Sequence, residues 1–173
     1  MLNQSVGAQL CIGGLLIVPM AGCGGTSSSN VSQVSCMSFS VSGACNDLSD
    51  VGSLVSSMCA AGPAPTGTGG VIADGTYVLS AVVGYDCGDA GGLPPQSQTI
   101  VISNGCVQGV ARVAGQTIST TQSFTVSGNE ITASVVCPPG QTGTQAPTFT
   151  ATASSLTVFY PSPFDQVEVY SRH

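Results

Sequence analysis

The chain has 173 residues, of which 42% are hydrophobic and only 6% charged, with two Lys or Arg against eight Asp or Glu and a formal net charge of −6. That length allows one domain with a small appendage, not two full cores, and the near absence of basic residues excludes a phosphate-neutralising surface, so nucleic acid is not a partner. Few charges combined with abundant Gly, Ser and Thr suit a small, β-rich exported domain with many tight turns.

The first element is an apolar stretch from Ala8 to Ala21. It is shorter than the roughly 20 residues that span a bilayer and fits the core of a signal peptide, typically about 7 to 15 apolar residues. It ends in Met20-Ala21-Gly22-Cys23, which resembles the lipobox of bacterial lipoproteins. The resemblance implies that residues 1–22 are a lipoprotein signal peptide and that the mature chain starts at a lipidated Cys23. Met20 stands where the family usually has Leu, and Met1 to Gln9 carries no Lys or Arg. The alternative is an ordinary secretory signal or a buried N-terminal helix, with Cys23 a plain thiol. Family members carry two or three acyl chains; at about 0.8 kcal/mol per buried methylene, two chains suffice for stable attachment. An aspartate after the lipidated cysteine marks inner-membrane retention in that family. Gly24 stands there, which implies the outer membrane of a bacterial cell envelope. As a whole, the chain also resembles small bacterial lipoproteins of uncharacterised function.

Residues 23–33 follow as a flexible tether, since Gly24 to Ser32 is Gly-, Ser- and Thr-rich without apolar periodicity. Residues 34–62 read as a small disulfide-bound cap. In it Met37, Phe39 and Val41 alternate like a short strand, while Asp47 is placed to cap a helix along which Leu48, Val51, Val55, Met58 and Cys59 recur at helical spacing. Gly62 and Pro63 end that helix, and residues 63–73, including Pro63 to Gly70, form a linker.

From Asp74 onward, short β-branched runs separated by turn residues signal an all-β domain over residues 74–173. Eight strands are expected: Thr76 to Tyr85, Gln98 to Ser103, Val107 to Val113, Thr117 to Val126, Glu130 to Val136, Thr148 to Ala153, Leu156 to Tyr160 and Gln166 to Ser171. In the first, Tyr77, Leu79, Ala81, Val83 and Tyr85 share one face. Asn104-Gly105 is a type I′ hairpin signal because both residues accept positive φ; Ser127-Gly128-Asn129 supplies another tight turn and Ser154-Ser155 a weaker one. Short consecutive links favour an up-and-down meander over a Greek key, and closing eight strands into a barrel removes exposed edges. With the first strand running upward, links 86–97, 138–147 and 161–165 lie at the upper end and the turns at 104, 127 and 154 at the lower end. An immunoglobulin-like sandwich of about seven strands is the alternative.

Asp74-Gly75-Thr76-Tyr77 resembles the Gly-x-Trp opening of lipocalin-like barrels, with Tyr77 in the place of Trp. The resemblance covers residues 74–172 and implies that Tyr77 seals the lower end beneath a basic residue of the last strand, here Arg172. The chain has no Trp and its strands are shorter than a typical lipocalin's.

Cysteine arithmetic places the chain outside the cytoplasm. Of eight cysteines, Cys11 falls in the leader and Cys23 takes lipid, leaving Cys36, Cys45, Cys59, Cys87, Cys106 and Cys137. An even six in an oxidising compartment reads as three disulfides, with 15 possible pairings. The meander puts Cys87 and Cys137 at the upper end, which predicts a bridge between them. Cys106, at the lower end, is then expected to join one of Cys36, Cys45 or Cys59, with the other two paired. Zinc would need close C-x-x-C pairs or histidines, and the chain has only the terminal His173.

Catalytic constellations are scarce: a Ser-His-acid arrangement needs a positioned base, and His173 is at the end of the chain. Asp86 and Asp89 flank Cys87 in a Gly-rich loop; they read as turn residues, with Ca²⁺ binding or acid-base work as the alternative. No catalytic residue, metal or cofactor is assigned. The expected function is that of a lipid-anchored, noncatalytic binding or surface-interaction module of the envelope, with inhibition of an exogenous hydrolase or carriage of a small apolar ligand as alternatives and an enzyme last. Its partners are the membrane, through the anchor, and a small apolar ligand or an envelope protein. Tyr77, Leu79, Val83, Tyr85, Ile100, Ile102, Phe124 and Phe149 are the expected lining of the barrel interior.

Overall fold

The computed structural model describes residues 36, 45–87, 93–138, 144–162 and 165–173. The leader, Cys23, the tether, the Met37/Phe39/Val41 run and Asp89 lie outside the described residues. Among the described residues there are ten strands: β1 (Ser57–Ala60), β2 (Gly75–Tyr85), β3 (Gln96–Ser103), β4 (Cys106–Val113), β5 (Gln116–Ser127), β6 (Glu130–Cys137), β7 (Thr144–Gln145), β8 (Thr148–Ala151), β9 (Ser155–Tyr160) and β10 (Gln166–Arg172).

Eight of these close into an antiparallel barrel in the order β2-β10-β9-β8-β6-β5-β4-β3 and back to β2. They are the eight expected strands, each within three residues at either end. Each hairpin follows from its turn chemistry: Asn104 and Gly105 take positive φ at 50° and 75°, as do Ala114 and Gly115 at 49° and 80°. Closure through the β2–β3 pairing, Gly75 to Val78 against Ile102 to Thr99, makes the ladder continuous and rules out the two separate sheets of an immunoglobulin-like sandwich.

Two departures from a plain meander matter. First, β2 changes phase. Val169 of β10 pairs with Ala81 and Tyr170 with Leu79, so Ser80 is an extra residue in a β-bulge. Before it Tyr77 and Leu79 are buried; after it Val82 is fully buried, whereas Val83 and Tyr85 are only half-buried on the other face. The expectation that Tyr77 through Tyr85 keep one inward face is therefore corrected, because a bulge shifts a period-two pattern by one residue.

Second, the helix expected over Asp47 to Cys59 is absent: the segment is extended. Polar residues at its start are engaged by the sheet instead. Asn46 donates through Nδ2 to the carbonyls of Gly109 (3.0 Å) and Thr120 (2.8 Å). Asp50 accepts from Thr99 Oγ1 at 3.0 Å and from Ser97 Oγ, with Arg112 Nε 4.0 Å away. Val55 exchanges two backbone hydrogen bonds with Gln96, and β1 then runs parallel to the upper half of β2. Residues 55–60 thus fill the upper part of the seam where β2 and β3 no longer pair directly.

Residues 67–70 run against β8. Gly69 exchanges backbone hydrogen bonds with Phe149 and Ala151 (2.6 and 3.0 Å), and a Cβ on Gly67 would collide with the Phe149 backbone, so glycine is required by close approach.

The three disulfides pin the N-terminal part to the barrel: Cys36–Cys106, Cys45–Cys137 and Cys59–Cys87. The expected partnership of Cys106 with one of the three early cysteines holds. The expected Cys87–Cys137 bridge, and with it a pairing between two early cysteines, is corrected. An extended 45–60 segment crosses the outer sheet face and carries Cys45 to the top of β6 and Cys59 beside the end of β2; a compact helical cap could not reach both.

Candidate functional site

The barrel interior divides into an apolar half near the tight turns and a polar half near the long links. β9 and β10 set this up by alternation. Leu156, Val158 and Tyr160 point inward from β9, opposite Tyr170, Glu168 and Gln166 of β10, and all six are buried. Polar side chains on β10 thus occupy the interior while Val167 and Val169 take the opposite face.

Glu168 is the centre of the polar half. It is 0% exposed and receives Gln166 Nε2 at 2.8 Å, Tyr170 Oη at 2.6 Å and Tyr160 Oη at 3.3 Å. Burial pushes its carboxyl up from the ordinary 4.5 to about 7, against the three hydrogen bonds, which pull the other way. The Tyr170 hydroxyl is raised well above its ordinary range, first by burial and then by the charge of Glu168. That hydroxyl also lies 2.9 Å from Gln98 Oε1. One hydroxyl hydrogen cannot serve two acceptors, so both contacts are satisfied when Glu168 is protonated and donates to Tyr170, which donates to Gln98. Neither arginine supplies a counter-charge: Arg112 faces Asp50 on the outer surface, and Arg172 donates to the carbonyls of Asp74 (2.7 Å) and Ala153 (3.4 Å) at the lower end.

Tyr77 is 1% exposed, and its hydroxyl donates to Ala73 O at 2.7 Å. Arg172 sits directly opposite it in the ladder. Both residues lie at the lower end of the β2–β10 ladder.

A cavity of about 40 Å³ lies between the two halves, displaced toward the turns. Ile100, Ile102 and Phe124 line it, as expected; so do Ile72 and Pro147 from flanking segments, and Gln122, Tyr160 and Tyr170 on its polar side. Tyr77, Leu79 and Phe149 belong to the surrounding core without lining the cavity, and Val83 and Tyr85 lie outside the core. Gln122 is 1% exposed, and its Nε2 has no hydrogen-bond partner among the described residues.

Sequence reasoning missed Gln98, Gln122, Tyr160, Gln166, Glu168 and Tyr170. The signal was the strict alternation Gln166-Val167-Glu168-Val169-Tyr170, which marks two distinct faces without saying which is inside. Asp86 has positive φ at 49°, a turn conformation. Among the described residues no group of three or more His, Cys, Asp or Glu is arranged to hold a metal ion, and no helix is long and apolar enough to cross a membrane.

Comparison with known family models, curated proteins and solved structures gives no match.

Proposed function

We propose that this chain is an exported, lipid-anchored envelope protein of bacteria, noncatalytic, whose lipocalin-like barrel binds a small and mostly apolar ligand. The observation that carries the reading is the cavity itself, where a wall of Ile, Leu, Val and Phe includes Gln122, whose amide nitrogen has no partner among the described residues. Mostly apolar walls with a few placed polar groups are the usual construction of small-molecule sites.

The anchoring part rests on Met20-Ala21-Gly22-Cys23 after a short apolar run and on six cysteines that pair completely, a usage suited to an oxidising compartment. Gly24 after the lipidated cysteine supports the outer membrane. The noncatalytic part rests on Glu168, whose oxygens are occupied by Gln166, Tyr160 and Tyr170 rather than presented to a substrate.

Intact and native mass spectrometry of the protein from a membrane fraction tests both parts. The expected result is a mass starting at Cys23 with two or three acyl chains, three bridges, and a small molecule that is released on unfolding. Unprocessed protein with free thiols would refute the anchor. Absence of any bound small molecule, together with tight binding to an exogenous hydrolase, would replace ligand binding with inhibition.

A further inference from the structure

We infer that the cavity takes a compact, uncharged molecule with an apolar body and a single acceptor oxygen, of the class of small ketones and esters, and that Gln122 Nε2 donates to that oxygen. The inference rests on the ligand-binding reading and adds the ligand's chemistry to it.

The amide provides the first support. Gln122 is 1% exposed and lines the cavity, with Nε2 unpartnered among the described residues. A buried donor left unpaired costs about 1–3 kcal/mol, so an occupant that brings an acceptor gains what the fold leaves unmet. The remaining wall is the second support. Ile102, Val107, Phe124, Ile131 and Leu156 contribute hydrocarbon, and the hydroxyls of Tyr160 and Tyr170 are already engaged, the first with Glu168 and the second between Glu168 and Gln98.

Water is a poor occupant of such a space. Each buried water uses two to four polar partners and needs about 10–15 Å³; a cavity of about 40 Å³ has room for about three, yet Gln122 Nε2 is the one unpartnered side-chain donor among the residues that line it. A molecule with one acceptor and an otherwise apolar surface matches that inventory. The same volume limits it to about three or four non-hydrogen atoms, unless Ile72 or Pro147 moves aside.

Charge is excluded on both sides. An anion would find no cation, since the chain has no Lys and its two arginines are engaged outside the interior, and it would sit near a second carboxyl, Glu168. A cation would need Glu168, which does not line the cavity and is already engaged by Gln166, Tyr160 and Tyr170.

The test uses acetone and its hydrocarbon isostere 2-methylpropene as probes, titrated into the disulfide-bonded full chain and followed by NMR of the wall methyl groups. In Gln122→Leu, acetone affinity is expected to fall about threefold to tenfold, the equivalent of one neutral hydrogen bond, while 2-methylpropene binds as well or better. Ala133→Leu, which fills the cavity from its wall, is expected to abolish binding of both and shows that the site is this one. If Gln122→Leu weakens both probes equally or neither, the acceptor inference fails while ligand binding stands. If neither probe binds the wild-type chain and only water occupies the cavity, both readings fall.

Discussion

Replacing Glu168 with Gln should remove most of the pH dependence of stability between mildly acid and mildly alkaline conditions. In the native barrel the carboxyl keeps its proton up to about pH 7, whereas an ordinary carboxyl releases it near 4.5. Between those values the folded chain holds a proton that the unfolded chain has lost, so stability falls as pH rises through the interval. It is fully present below the lower value and levels off above the upper one. At about 1.4 kcal/mol per pH unit the interval amounts to about 3 kcal/mol, all of it traceable to ionising a carboxyl with no cation beside it. Glu168→Gln has no proton to lose. It does turn an amide NH2 toward the donor of Tyr160 or Gln166, so at about pH 5 it should be less stable than wild type by about 1 kcal/mol. The two stability curves should therefore cross: by about pH 8 the variant is expected to be the more stable by about 2 kcal/mol. Urea unfolding at four pH values, with disulfides intact and tyrosine fluorescence as the probe, reads this directly. Parallel wild-type and variant curves, agreeing in slope within about 0.5 kcal/mol over the whole range, would refute the argument that burial of Glu168 is uncompensated.

Two further outcomes follow from the N-terminal segment. Replacing Cys59 and Cys87 together by Ala removes a cross-link between residues 28 apart, which should cost about 3–4 kcal/mol by loop entropy. Amide exchange should then increase along β1 and the upper half of β2, with the lower β2–β3 pairing unaffected; uniform loss of protection would show that β1 does not seal that seam. Gly67→Ala should destabilise the chain by at least about 2 kcal/mol, because the new Cβ meets Phe149 backbone that cannot yield without breaking the β8 contacts. A melting temperature unchanged within about 1 °C would contradict that packing.

Much of the barrel was legible because its signals are local. Asn104-Gly105 closes a hairpin by its own φ preferences, and runs such as Gln166 to Ser171 alternate cleanly enough to be strands in any context. Tyr77 and Arg172, the two positions that the lipocalin resemblance singles out, pair with each other at the lower end of the β2–β10 ladder. Less local features were not legible. The bulge at Ser80 is set by how β10 registers against β2, and nothing in Gly75–Tyr85 announces it; Val83 and Tyr85 were therefore placed on the wrong face. The start of the 45–60 segment reads as a helix N-terminus from its neighbours in sequence, yet the partners of Asn46 and Asp50, namely Gly109, Thr120, Ser97 and Thr99, lie far along the chain.

The amino-acid sequence by itself determined the eight barrel strands, most of the tight turns between them and the all-β class, since each depends on residues within a few positions of one another. Tertiary structure alone decided the disulfide partners, the path of residues 45–70 along the two seams, and the inward orientation of Gln166, Glu168 and Tyr170. A period-two pattern defines two faces of a strand but assigns neither to the interior. That assignment comes from closure of the barrel, which brings Gln98 of one distant strand to Tyr170 of another and so surrounds the buried carboxyl of Glu168 with polar partners.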